Sequence, residues 1–284
     1  MGRYRKILVA VDGSEQSMHA LKESLKLAVF EKCWITVVSV APDYNGDLST
    51  TAIGNIRKAL SEPSEQALAA ADEMARNERA LIKTVCEQGE PYERIVDISD
   101  AENADLIVMG RSGKGAVEKA LMGSVTARVI GYSQKDVLVV PSGAEVGWKS
   151  ILLATDGSKY SGAAAVRATD FAKSYDGALT ALSVVDVPDE FYAEAPDVVE
   201  GMIAKAKKYA ADAKSKAEAN GVRSDALARE GDSANLITST AKDINADVIV
   251  MSSHGRTGLR RLLMGSVTAK VIGRSACPVL VVKS

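Results

Sequence analysis

The sequence predicts an α/β protein of two doubly wound open sheets, each of five parallel strands with helices on both faces. Three observations carry that expectation. The first is that the chain is one unit written twice. Ile7-Leu8-Val9-Ala10-Val11-Asp12-Gly13-Ser14 returns 144 residues later as Ile151-Leu152-Leu153-Ala154-Thr155-Asp156-Gly157-Ser158, and Leu121-Met122-Gly123-Ser124-Val125-Thr126 returns 142 residues later as Leu263-Met264-Gly265-Ser266-Val267-Thr268. The second is that short Val- and Ile-rich runs alternate with longer amphipathic stretches, the pattern of parallel strands joined by crossover helices. The third is that the first, fourth and fifth runs are almost continuously apolar, as strands covered on both faces must be. A period this long is domain duplication and not a solenoid, because each copy is large enough to close its own core.

Taken in order, residues 7–11 make the first strand, an apolar run stopped by Asp12-Gly13. Ser14 is placed to cap the next helix, with Leu21, Leu25 and Ala28 at helical spacing behind it. Residues 34–40 are the second strand, and the Ala- and Glu-rich segment near 64–80 reads as a surface helix. The third strand is 81–87, with Gly89 at its exit; the fourth is 105–109; a helix follows over 125–132; the fifth strand is 137–140. Copy two repeats the strands at 151–155, 178–184, 224–229, 247–251 and 279–282, with Ser158 as the cap, 197–219 as the surface helix and Gly231 at the third strand's exit. The small, polar stretch 142–147 separates the copies, so domains are expected at 1–143 and 148–284 with 144–147 as linker.

Thirty-five basic and 37 acidic side chains leave a formal charge of −2, and aromatics make up 5% of the 284 residues. No bulk field draws such a protein to nucleic acid or an anionic membrane, and there is little material for a base-stacking platform. Neither partner is expected. Three scattered cysteines, Cys33, Cys86 and Cys277, supply neither a disulfide framework nor a CxxC motif, and no metal-ligand spacing is visible. The opening apolar run is too short for a signal-peptide core or a membrane span, so a cytoplasmic location is expected.

In open α/β sheets, ligands bind beyond the carboxyl ends of the strands where strand order reverses. Two loops per copy therefore matter: Asp12-Gly13-Ser14 after the first strand, and Gly110-Arg111-Ser112-Gly113 after the fourth, followed nine residues on by Gly123-Ser124 at a helix start. The second loop has the features of a phosphate cradle. Its glycines let backbone N–H groups approach an anion, the helix N-terminus adds further N–H groups and the Ser124 hydroxyl, and Lys114 and Arg256 add positive charge. On composition alone, a tight turn with Ser124 as helix cap explains the same residues equally well, since neither a Walker A signature nor GxGxxG is present. Asp12 is open to two readings, an Asx-turn or an acceptor for ribose hydroxyls, and its place at the first strand's carboxyl end modestly favours the second.

With these residues in view, the whole chain resembles a tandem universal stress protein. The resemblance rests on residues 7–14 and 105–110, on the G-2x-G-9x-G-(S/T) pattern that copy one completes with Gly110, Gly113, Gly123 and Ser124, and on Ser253-His254-Gly255-Arg256-Thr257-Gly258, Gly265-Ser266 and residues 277–282 of copy two. It implies strand order 3-2-1-4-5 and, in the subclass that keeps the glycine pattern, binding of adenine nucleotide, as ATP, ADP or AMP, with Mg²⁺ accompanying it. In that subclass Asp12 or Asp156 holds the ribose, Val40 or Val184 meets the adenine and Val11 or Thr155 flanks the base. Gly113, Gly123 and Ser124, or Gly255, Gly265 and Ser266, hold the phosphates. Gly110, Lys114 and Val125 complete the copy-one set, and Arg256 and Val267 that of copy two. The resemblance also implies that strand five is a sheet edge used for pairing, so an intramolecular pseudo-dimer through 137–140 and 279–282 is expected, with a homodimer of the tandem chain as a further level. A branch of the family without the glycine pattern binds no nucleotide and acts through association.

Copy two departs from the pattern at Ser252, whose Cβ and hydroxyl are expected to intrude where backbone should approach ribose or phosphate, weakening that site. Copy one has Ala116 and Glu118 where copy two has Gly258 and Arg260, a less permissive and less basic loop. Of the two histidines, His19 has no partner for catalysis in sequence, and His254 lies in the second phosphate loop where copy one has Ser112, which argues against an essential role. The function expected is an ATP-binding stress-response regulator; the alternative is a scaffold of the same fold that binds nothing small. No catalytic residue is assigned. An adenylating enzyme would need an SGGxDS-type loop that Asp12-Gly13-Ser14 does not supply, so hydrolysis is expected to be slow at most.

Overall fold

The computed structural model describes residues 4–43, 53–113, 122–255 and 264–283. Lys114, Ala116, Glu118, Arg256, Gly258 and Arg260 lie outside the described residues. The chain divides into two compact units, Met1–Gly143 and Ala144–Ser284.

In unit 1 the elements run β1 Lys6–Ala10, α1 Glu15–Glu31, β2 Trp34–Ala41, α2 Ile53–Asn77, β3 Ile82–Gln88, α3 Pro91–Ala101, β4 Leu106–Gly110, α4 Ser124–Tyr132 and β5 Asp136–Val140. All strand pairs are parallel and the order is β3-β2-β1-β4-β5. Unit 2 repeats the design with β6 Ser150–Ala154, α5 Lys159–Ser174, β7 Ala178–Val185, the short α6 Asp189–Glu194, α7 Pro196–Ala219, β8 Arg223–Glu230, α8 Ser233–Asp243, β9 Val248–Ser252, α9 Ser266–Arg274 and β10 Val279–Val282, in the order β8-β7-β6-β9-β10. The five-stranded doubly wound arrangement of the sequence analysis is therefore present in both units.

The physical basis of the core is legible strand by strand. Val9 of β1 pairs with Val37 on one side and Val108 on the other, and every residue of β4 and β5 is buried. Such strands need apolar side chains on both faces because helices cover both. β3, at the sheet edge, has an exposed pattern and correspondingly polar residues. Each sheet is also pinned at its amino ends by one carboxylate: Asp105 accepts from the Arg5 and Lys6 N–H groups, and Asp247 from those of Lys149 and Ser150. In unit 2 the buried Trp148 ring stacks on Phe171 at 4.1 Å.

Several helices differ from the sequence expectation. α2 spans Ile53–Asn77 and runs through Pro63, whereas the composition placed a helix near 64–80. Proline has no N–H to donate and its ring crowds the carbonyl four residues back, so pattern reading starts the helix after it. The crossover helices α3 and α8 carried no named sequence signal, because their buried faces are short and built partly from Ser, Ala and Thr. Among the described residues no helix is long and apolar enough to cross a membrane.

Candidate functional site

β1 and β6 sit between neighbours that continue the sheet in opposite directions, so the turns after them lie at the topological switch point of each unit. Each turn is tightly organised. Asp12 Oδ1 accepts the Ser14 N–H at 2.9 Å, the Asp12 N–H donates to Ser17 Oγ, and Ser14 Oγ caps α1 by accepting from the Ser17 N–H. Unit 2 repeats this with Asp156 Oδ1 accepting the Ser158 N–H at 3.0 Å and Ser158 Oγ accepting the Ser161 N–H. The Asx-turn is thus real in both copies. It uses one carboxylate oxygen of each aspartate for the turn, and the second points toward the other loop.

That second loop leaves β4 and returns at Gly123. The Gly123 N–H donates to the Arg111 carbonyl at 2.9 Å, and in unit 2 the Gly265 N–H donates to the Ser253 carbonyl at the same distance. Thr126 Oγ1 donates to the Gly110 carbonyl and Thr268 Oγ1 to that of Ser252, both at 3.1 Å, tying the next helix to the strand end. Gly123 and Gly265 are the N-caps of α4 and α9 and have no side chain to cap them, so the leading N–H groups of these helices are left for an external acceptor. Ser124 and Ser266 are the first residues of their helices rather than their caps.

The two loops meet through glycine. A Cβ on Gly113 would collide with Asp12 Oδ2, and one on Gly255 would stand 3.0 Å from Asp156 Oδ2. The second motif glycine therefore lets the aspartate and the cradle share one surface. In unit 2, Thr155, Asp156, Val184, Gly255, Gly265, Ser266 and Val267 all line a single cleft of about 200 Å³. Sequence reasoning missed other walls, among them Leu182 and Met251 from the strands and Ser233 and Ile237 from α8. The apolar three gave no signal beyond ordinary core periodicity. In unit 1, Val11 is buried and its N–H donates to the Val38 carbonyl, with Asp12 and Val40 half-buried beside it. Arg111, a residue the sequence reading did not select, stands at the start of the unit 1 loop, and burial lowers the pKa of its guanidinium. Its signal was the charge inside the Gly110–Gly113 tetrad.

The first motif glycine is pressed against main chain. A Cβ on Gly110 would meet main chain of α1, 2.9 Å from the Gln16 carbonyl carbon and 3.1 Å from the Ser17 nitrogen. The constraint is helix-on-strand packing. Unit 2 accommodates Ser252 at the same place, 9% exposed, with its hydroxyl donating to the His254 carbonyl at 2.6 Å. The Ser252 hydroxyl is thus used to hold the loop.

Comparison with known proteins bears directly on this arrangement. The universal stress protein family model matches twice, over residues 3–141 and 147–283. The chain belongs to the universal stress protein family. It carries two such domains in tandem. A universal stress protein of Methanocaldococcus jannaschii is 40% identical over 140 residues, covering 48% of this chain and 82% of that protein. One from Mycolicibacterium smegmatis is 26% identical over 98% of this chain and 96% of its own length. Among solved structures, a universal stress protein from Archaeoglobus fulgidus superposes over 99% of both chains with a TM-score of 0.71 at 24% identity, a likeness of fold.

The residues present fit an adenine nucleotide in three respects: glycine positions that a Cβ would fill, helix N-termini without a side-chain cap, the one in unit 2 lining the cleft, and a carboxylate at the switch point. For Mg²⁺ the fit is narrower. Among the described residues no three His, Cys, Asp or Glu side chains gather as a metal site, so the ion would arrive with the phosphates that hold it.

Proposed function

We propose that this universal stress protein is an adenine-nucleotide-binding regulator, with one site at the switch point of each unit. The observation that carries the reading is the joining of Asp12 to Gly113, and of Asp156 to Gly255, across residues about a hundred positions apart in sequence. A turn that served only the backbone would not require a glycine opposite a carboxylate. In this reading Asp12 and Asp156 accept from ribose hydroxyls through the oxygen turned to the cradle. Val11, Val40, Thr155 and Val184 form the base pocket. Gly113, Gly123, Ser124 and Val125, or Gly255, Gly265, Ser266 and Val267, present N–H groups and hydroxyls to the phosphates, with Gly110 holding the loop against α1. ATP, ADP and AMP share these groups, and Mg²⁺ travels with the polyphosphates.

The reading assigns no catalytic residue: the protein acts through its bound state and turns ATP over slowly at most. Free Cys33, Cys86 and Cys277 suit a reducing cytoplasm. β5 and β10 end their five-strand orders and are continuously apolar over 137–140 and 279–282. An apolar edge demands cover. The two edges are proposed to cover each other within one chain; backbone amides of β5 should then exchange with solvent as slowly as those of β1, and fast exchange would refute the pairing.

The test of nucleotide binding is thermal. At 100 times the dissociation constant a ligand adds about 2.7 kcal/mol of stability, so millimolar ATP, ADP or AMP should raise the melting temperature by several degrees. No shift with any of the three would favour the alternative, a scaffold that binds nothing small. Mass spectrometry of the gently purified protein gives the stoichiometry.

A further inference from the structure

We infer that one position, Ser112 in unit 1 and His254 in unit 2, supplies a side-chain contact to the bound ligand, and that in unit 2 His254 donates its Nε2–H to a phosphate oxygen. The inference rests on the nucleotide reading above and adds the residue by which the two cradles differ.

The Ser112 hydroxyl, in a residue 3% exposed, has no hydrogen-bond partner among the described residues, and neither has the enclosed Nε2 of His254. Native proteins rarely leave such atoms unsatisfied, and an exception calls for a reason. Here the exception falls twice on the same position of a duplicated fold, with two unlike side chains, one residue before the glycine that meets the aspartate. His254 lines the unit 2 cleft together with Asp156, Gly265 and Ser266.

The chemistry of the ring narrows the ligand group. Nδ1 of His254 lies 3.0 Å from Ser253 Oγ. When the Ser253 hydroxyl donates to Nδ1, the proton of the neutral imidazole sits on Nε2, and that nitrogen seeks an acceptor. An ionised phosphate offers acceptors only. The ring is also held in place by Tyr160 from the first turn of α5, with centroids 6.2 Å apart. Unit 1 replaces this arrangement. There Gln16 stands where Tyr160 is, and its Oε1 accepts the Ser112 N–H at 3.1 Å, leaving a short hydroxyl in place of the ring.

The experiment uses the full chain with Asp12→Ala to silence unit 1, and calorimetric titration with ATP and with adenosine. His254→Phe keeps the ring beside Tyr160 and removes its N–H; His254→Gln restores a donor on a side chain of similar reach. The expected result is ATP binding weakened about tenfold to a hundredfold by His254→Phe, in the range of a hydrogen bond to a charged group. Adenosine affinity should not change, and His254→Gln should recover part of the loss for ATP. Unchanged ATP affinity in His254→Phe would overturn the proposal and leave nucleotide binding intact. Equal losses for ATP and adenosine would overturn the phosphate contact. Absence of ATP binding with His254 in place, in a chain that melts as the parent does, would overturn the nucleotide reading of unit 2 and this inference with it.

Discussion

Gly110→Ala separates a packing glycine from a ligand-binding one. The added methyl would stand 2.9 Å from the Gln16 carbonyl carbon, 3.0 Å from its oxygen and 3.1 Å from the Ser17 nitrogen. All three are backbone atoms in the first turn of α1, which cannot swing aside as a side-chain tip would. The helix must lift from β4 by a few tenths of an ångström, against the Ser112-to-Gln16 and Asp12-to-Ser17 hydrogen bonds that hold it. Overpacking of this kind costs about 1 to 3 kcal/mol, which at roughly 2 to 4 °C per kcal/mol for a chain of this size is a readily measured fall in melting temperature. The assay is urea unfolding followed by circular dichroism, with the fluorescence of buried Trp148 as the internal reporter of unit 2. The paired variant Ser252→Gly should give no gain in nucleotide affinity, and should lose the hydroxyl bond to the His254 carbonyl. A stability change within about 0.5 kcal/mol for Gly110→Ala, the range of a neutral surface substitution, together with tighter nucleotide binding by Ser252→Gly, would refute the packing argument and restore a ligand role for this glycine.

Three further outcomes are expected. Gly113→Ala should push the Asp12 carboxylate from its place, lowering stability by about 1 kcal/mol through the Asx-turn bond and reducing the ATP-induced melting shift; an undiminished shift would show that Asp12 is not used. Phe171→Ala, which removes the partner stacked on Trp148, should destabilise unit 2 by about 3 to 5 kcal/mol and shift Trp148 emission to the red, and an unchanged spectrum would mean the ring pair is not maintained in solution. Burial pushes the Cys33 thiol up to about 11 from its ordinary 9.0; below pH 9 it is protonated folded and unfolded alike, and between pH 9 and 11 mainly the unfolded chain ionises, so stability should fall as pH rises through that window. Cys33→Ser should flatten that fall, and iodoacetamide at pH 8 should modify exposed Cys86 before Cys33.

The sequence by itself determined the duplication, the strands to within a residue or two, the serine caps and the family. Each of these is written locally: β-branched runs long enough for a buried strand, a hydroxyl just before an amphipathic stretch, a motif of fixed spacing. Only the tertiary structure decided what the motif residues touch. That Gly113 faces Asp12, that Gly110 faces α1, and that Ser112 and His254 both keep a buried polar atom without a protein partner are facts about segments about a hundred residues apart. Spacing along the chain specifies which backbone can turn tightly. The parallel register of β1 beside β4, and of β6 beside β9, specifies which surface that turn is pressed against, and so whether a missing side chain makes room for a helix, a carboxylate or a ligand.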